Sequence, residues 1–284
     1  MKRRTFAAAA TGTLAGLSGC LGGPLGLGES TTTGEGTTDS GAATTGTSGA
    51  SGTGTSTSSL PAEIDGYPDS VAEQPEDREV DTSDLDTVEE GGVEVPLLPV
   101  EDTHVWWAYR RARFADARGP DQYENSHIEG AVFSSAAERY RDDDDPVERW
   151  GKQDRIVCYC GCPHHLSSIR ASQLINAGYE NVYVIDEGFF EWTDRGYPVT
   201  GDGGGIEKFT VEGEVDARYE GENAWASPVE SEQLESTDVA SDGSFALHCK
   251  FVDVTMDTRL RVDTPAWSTT GTVRELTADV VHGN

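Results

Sequence analysis

Three consecutive segments constrain the fold of this chain more than any other feature. Arg155–Tyr159 (RIVCY) is a short apolar run, Ser168–Ala177 (SIRASQLINA) places Ile169, Leu174 and Ile175 on one helical face, and Asn181–Asp186 (NVYVID) is a second apolar run. Gly178 stands where a helix stop belongs. Strand, helix, strand in this order predicts a parallel pair joined by a helical crossover. Upstream, Glu101–Ala112 has helical spacing with Val105, Trp106 and Tyr109 on one face, and Arg113–Ala117 (RFADA) reads as a strand. Downstream, Glu187-Gly188 leads into a short helical FFEWTDRG. The expected fold class is α/β: residues 93–200 form a central parallel sheet flanked by helices.

Past Gly201-Asp202-Gly203-Gly204-Gly205, a linker, the period changes to two. Phe209–Tyr219 and Ser244–Val254 alternate apolar and polar residues, with a Ser241-Asp242-Gly243 turn before the second. This predicts a small all-β, sandwich-like domain over 206–284 without a convincing helix. Cys249, on an alternating strand, is expected to be a buried thiol.

The other end of the chain reads as an address and a tether. Residues 1–20 carry Arg3-Arg4, a short Ala/Gly-rich apolar run and Leu17-Ser18-Gly19-Cys20. The run is too short for a membrane span and predicts an export signal. Its ending resembles a lipobox, in which Cys20 is lipidated and anchors the mature chain to the outer face of the cell membrane. Residues 21–60, nearly all Gly, Ser, Thr and Ala from about Gly28, have nothing to bury and predict a flexible tether. Residues 61–92 are acidic and irregular, a lead-in expected to pack partly on the domain that follows.

Acidic residues outnumber basic ones 51 to 21, for a net charge of −30, and the only lysines are Lys2, Lys152, Lys208 and Lys250. Such a surface repels nucleic acid and excludes it as a partner. With the twin-arginine lipobox, it resembles secreted proteins of extremely halophilic archaea. The run Asp142–Asp145 lacks the Gly turn and spaced ligands of a calcium loop and is expected to be a solvated surface loop.

Chemistry concentrates in IVCYCGCPHHLSS, Ile156–Ser168, where three of the five cysteines and two histidines fall together. Cys160 stands at the C-terminal end of the predicted strand, where active sites gather in open α/β sheets. A helix start follows, and its unpaired N–H groups stabilise an anion. A thiolate there is expected to have a lowered pKa and to act as a nucleophile near neutral pH, with Ser167 and Ser168 as N-cap oxygens. Cys158, two residues earlier, is expected to be core.

At these residues the sequence resembles the rhodanese-type sulfurtransferases, over roughly Leu97 to Pro198. Phe114-Ala115-Asp116-Ala117-Arg118, then Tyr123-Glu124 and Ser126-His127-Ile128-Glu129-Gly130-Ala131, are similar to the family's first strand and following segment. Val157–Cys160 is similar to its catalytic strand, and Gly178–Trp192, closing with Tyr197-Pro198, to its terminal signature. The resemblance implies that Cys160 carries sulfur as a persulfide and that Gly161, Cys162, Pro163, His164, His165, Leu166, Ser167 and Ser168 form an anion-binding loop. It implies structural support from Asp116, Arg118, His127 and Gly188, no cofactor and no metal, and as partners a small sulfur-containing donor and a thiol or other nucleophilic acceptor.

The loop from Cys160 to Leu166 departs from that pattern, with seven residues where six are usual and seven occur in phosphatases of the same fold. Those phosphatases need an arginine six positions after the cysteine to clamp phosphate. Leu166 stands there, and starting from Cys158 or Cys162 the position is His164 or Ser168, so no register supplies it. Alternatives that stay open are a metal-binding or thiol redox module using Cys160, Cys162, His164 and His165, and a rhodanese-like binding domain without turnover.

Overall fold

A computed structural model describes residues 61–141, 144–161 and 163–283. The export signal, the tether, Cys20, Asp142, Asp143 and Cys162 lie outside the described residues. Among those described, no helix is long and apolar enough to cross a membrane.

The lead-in holds one helical turn, α1 (Ala62–Asp65), and a strand, β1 (Thr87–Glu90), that pairs antiparallel with β2 (Val93–Leu98). Then follow α2 (Val100–Ala108), β3 (Arg113–Asp116), α3 (Pro120–Asn125), β4 (Ser126–Ile128), β5 (Val132–Phe133), β6 (Arg155–Tyr159), α4 (His165–Asn176), β7 (Asn181–Ile185), α5 (Gly188–Asp194) and β8 (Val199–Gly201). The central sheet has the order β1-β2-β7-β6-β3-β5 and is parallel except for β1. β4 and β8 form a separate antiparallel pair.

Strand alternation sorts the core onto two faces. Phe114, Val157, Tyr159 and Ile185 point to one side, where they meet Trp106 and Trp107 of α2 and Phe189 and Trp192 of α5. Ala115, Ile156, Cys158 and Val184 point to the other, against Ala171 and Leu174 of α4. Burial of each tryptophan contributes on the order of 3 kcal/mol. The indole N–H groups of Trp107 and Trp192 donate to Glu129 O and Pro198 O, at 2.8 and 3.0 Å, so burial leaves neither unsatisfied.

The lead-in is tied to this body by its backbone. Gly66 O accepts from Phe114 N at 2.9 Å, Ile64 O from the Trp150 indole at 2.8 Å, and Pro75 O from the Tyr109 hydroxyl at 2.9 Å. The acidic run also differs from its expectation. Asp145 is buried, pairs with Arg170 of α4 at 2.7 Å and accepts from Val147 N at 3.1 Å. A buried guanidinium on α4 needs a carboxylate, and the end of the run supplies it.

The C-terminal region comprises β9 (Ile206–Glu214), β10 (Asn223–Pro228), β11 (Glu235–Asp238), β12 (Ser244–Val252), β13 (Arg259–Asp263), β14 (Ser268–Thr272) and one helical turn, α6 (Val273–Leu276). A four-stranded antiparallel sheet, β11-β10-β13-β14, faces the long two-stranded antiparallel sheet β12-β9 across a core of Val211, Phe245, Leu247, Phe251, Leu260 and Val262. Cys249 is 1% exposed in that core.

Candidate active site

β6 lies between β3 and β7, so its C-terminal end opens from the middle of the sheet. Cys160 is the first residue past it. The chain turns through Gly161 and Pro163, takes a left-handed φ of 38° at His164 and enters α4 at His165. α4 therefore starts three residues before the expected Ser168, and His165 and Leu166 belong to its first turn instead of the loop. Ser167 and Ser168 are not N-caps. Ser168 Oγ donates back to His165 O at 2.9 Å, while Ser167 Oγ lies 3.3 Å from Cys160 Sγ.

The sulfur thus sits at the start of a helix of 12 residues, where the Leu166 and Ser167 N–H groups and the Ser167 hydroxyl stabilise negative charge on it. Its environment nonetheless reverses one expectation. Burial, the largest influence, pushes the Cys160 thiol up to about 11; the Ser167 hydroxyl opposes this and the Glu235 carboxylate adds to it. The helix start favours the thiolate, but the residue is 1% exposed and loses more by leaving water than it gains from three hydrogen bonds. Cys158, wholly buried, titrates at about 12 for the same first reason.

Part of what covers Cys160 comes from the C-terminal region. Leu234 joins Cys160, Leu166, Ile169, Ala117, Ala136 and Ala137 in one apolar cluster. Glu235, 3% exposed, has its Oε1 3.4 Å from where a Cβ on Gly161 would lie. Gln122 of α3 fastens this contact: its Oε1 accepts from Gly119 N at 3.0 Å and Leu234 N at 2.9 Å, and its Nε2 lies 3.3 Å from Glu235 Oε1. Burial raises Glu235 to about 8, with Arg118, Lys250 and Gln122 opposing and Asp116 adding to the shift. Neither Glu235 nor Gln122 carries a signal in the sequence. They are separated by 113 positions, and no local pattern marks a strand that docks on a distant loop.

The supporting residues converge from three sides. Asp116, at the end of β3, and Arg118 pair at 2.6 Å, both buried, and Arg118 also donates to Ser126 O at 2.6 Å while lying over the Phe189 ring at 4.1 Å. Gly188 takes a φ of 80°, a turn that only glycine makes without strain, and the next residue's N–H donates to Cys160 O at 2.8 Å. His127 stands apart from the sulfur loop: its Nδ1 is 2.8 Å from Tyr123 O and its ring stacks on Tyr123 at 4.0 Å. His164 and His165 are half-buried at the helix start, His164 Nε2 lying 3.7 Å from Asp186 Oδ1 and burial holding His165 below the usual histidine range. Among the described residues no three His, Cys, Asp or Glu side chains are grouped to hold a metal ion.

Residues 107–195 match the family model described as the rhodanese-like domain. Similar solved structures include a protein from Bacillus halodurans, 20% identical over 37% of this chain and 76% of its own, with a TM-score of 0.33. A thiosulfate sulfurtransferase from Pseudomonas aeruginosa is 21% identical over 37% of this chain and 20% of its own, with a TM-score of 0.32. A rhodanese-related protein from Thermoplasma volcanium is 16% identical over 37% of this chain and 98% of its own, with a TM-score of 0.32. With its mainly parallel sheet, its helices on both faces and its cysteine loop leading into α4, the segment 107–195 is a rhodanese-like domain.

Proposed function

We propose that this chain is a sulfurtransferase that carries sulfane sulfur as a persulfide on Cys160. The observation that carries the reading is the set of donors on one sulfur: the Leu166 and Ser167 N–H groups and the Ser167 hydroxyl meet at Cys160 Sγ, at the start of α4. In the first half-reaction the Cys160 thiol loses its proton to solvent and the thiolate attacks the outer sulfur of the donor. The bond from that sulfur to the rest of the donor breaks, and the leaving group departs with the electron pair. In the second, an acceptor thiolate attacks the terminal sulfur of the persulfide and Cys160 leaves as thiolate. Cys160 Sγ carries the negative charge as the first step begins and again as the second ends, where the three donors are already in place.

The test is intact-protein mass spectrometry after thiosulfate or polysulfide, with peptide mapping and Cys160→Ser alongside. One added sulfur on the Cys160 peptide, absent from the variant, is expected; an unmodified wild-type peptide would sink the reading. The proposal extends to location: the chain is exported and held on the outer face of the membrane through lipid on Cys20. Replacing Cys20 with serine is then expected to move the protein from the membrane fraction to the soluble one.

A further inference from the structure

The antiparallel pair β12-β9 places Lys250 directly opposite Lys208. Like charges facing each other across two strands destabilise the pair. Here they stand together in a chain with four lysines and 51 acidic residues, where carboxylates to separate them are plentiful. Among the described residues, neither lysine joins an ion pair within 4 Å. Both ammonium groups instead gather over one ring of the rhodanese-like domain: Lys250 Nζ lies 4.3 Å and Lys208 Nζ 5.4 Å from the centroid of Phe190.

Phe190 borders the cysteine loop. Its Cε2 lies 2.9 Å from where a Cβ on Gly161 would be, and Phe189 beside it is hydrogen-bonded to Cys160 O. Lys208 and Lys250, with Thr210 and His248, line a hollow of about 200 Å³. A doubly cationic hollow one aromatic ring away from the residue after Cys160, on a molecule of charge −30, is a local reversal of the field around it.

We propose that Lys208 and Lys250 form an anion-binding site beside the Cys160 loop, which draws small anionic sulfur compounds to the cysteine. The C-terminal domain then supplies part of the substrate site, and selects by charge what the rhodanese-like domain attacks. The sulfur part of this inference rests on the function proposed above; the electrostatic part does not.

Iodoacetate and iodoacetamide separate the two. They alkylate a thiolate by the same displacement and differ chiefly in charge, so the ratio of their rates at Cys160, read by mass spectrometry in the full-length protein, reports the local field. The Lys208→Gln, Lys250→Gln double variant is expected to lower the iodoacetate-to-iodoacetamide ratio about tenfold in dilute salt. Lys208→Arg, Lys250→Arg is expected to keep it, and salt to narrow the difference. A general loosening of the β12-β9 pair changes both rates together and leaves the ratio unmoved. The site is overturned if the glutamine variant keeps the wild-type ratio, if the arginine variant loses it, or if neither reagent reaches Cys160. An intact charge effect with no persulfide after thiosulfate would retain the anion site and remove the sulfur chemistry.

Discussion

At the scale of single residues, the site is defined by two groups that burial holds protonated, Cys160 at about 11 and Glu235 at about 8. They are coupled, because ionised Glu235 makes the thiolate harder to form. Glu235 also has a consequence for stability whose sign follows from linkage. Its folded value lies above the ordinary 4.5, so its contribution is fully present below pH 4.5 and is lost as pH rises toward about 8. A glutamine keeps the shape and removes the titration. Denaturant unfolding at pH 5 and pH 9 is expected to show a loss in the wild type that is smaller in Glu235→Gln by on the order of 3 kcal/mol. In the same variant, the pH profile of Cys160 alkylation is expected to move to lower pH. Equal profiles would mean that the carboxylate does not act on the sulfur.

At the scale of elements, the decisive contact is the docking of the segment before β11 onto the turn before α3. A Cβ on Gly119 would lie 2.1 Å from Glu232 O and 2.9 Å from Gln233 Cα, while its φ of −78° is one any residue adopts. Glycine is needed there for close approach, and not for conformation. Gly119→Ala is expected to cost about 1–3 kcal/mol and to speed iodoacetamide modification of Cys160, because the displaced backbone carries Leu234 off the sulfur. Measuring both together distinguishes undocking from loss of fold. This contact was invisible in the sequence, whereas β6 and β7 were legible within a residue because each is a short apolar run buried on both faces. The start of α4 was not, since no side chain caps it and a left-handed histidine makes the turn. β1 (TVEE) is too polar to read as a strand and exists because β2 offers it an edge. The position of Cys160 could be read from a strand end; its raised pKa could not, because part of the cover that buries it, Leu234, comes from a distant segment with no local pattern to mark it.

At the scale of the whole molecule, two electrostatic tendencies oppose each other. The net charge of −30 repels anions and strains the fold by self-repulsion, while the β12-β9 pair presents two lysines side by side next to the cysteine loop. Salt acts on the two in opposite senses. Raising ionic strength from about 0.1 M to about 1 M shortens the screening length from roughly 10 Å to roughly 3 Å. Repulsion among scattered surface carboxylates acts over distances of that order and is largely removed. Buried pairs such as Asp116–Arg118 and Asp145–Arg170 are screened much less and keep holding the site. Thermal unfolding is therefore expected to rise by on the order of 5–10 °C over that range, while the preference of Cys160 for iodoacetate over iodoacetamide falls. Calorimetry and the alkylation ratio in the same salt series check both. A melting temperature that falls with salt would show that surface attraction, and not self-repulsion, dominates the folded chain.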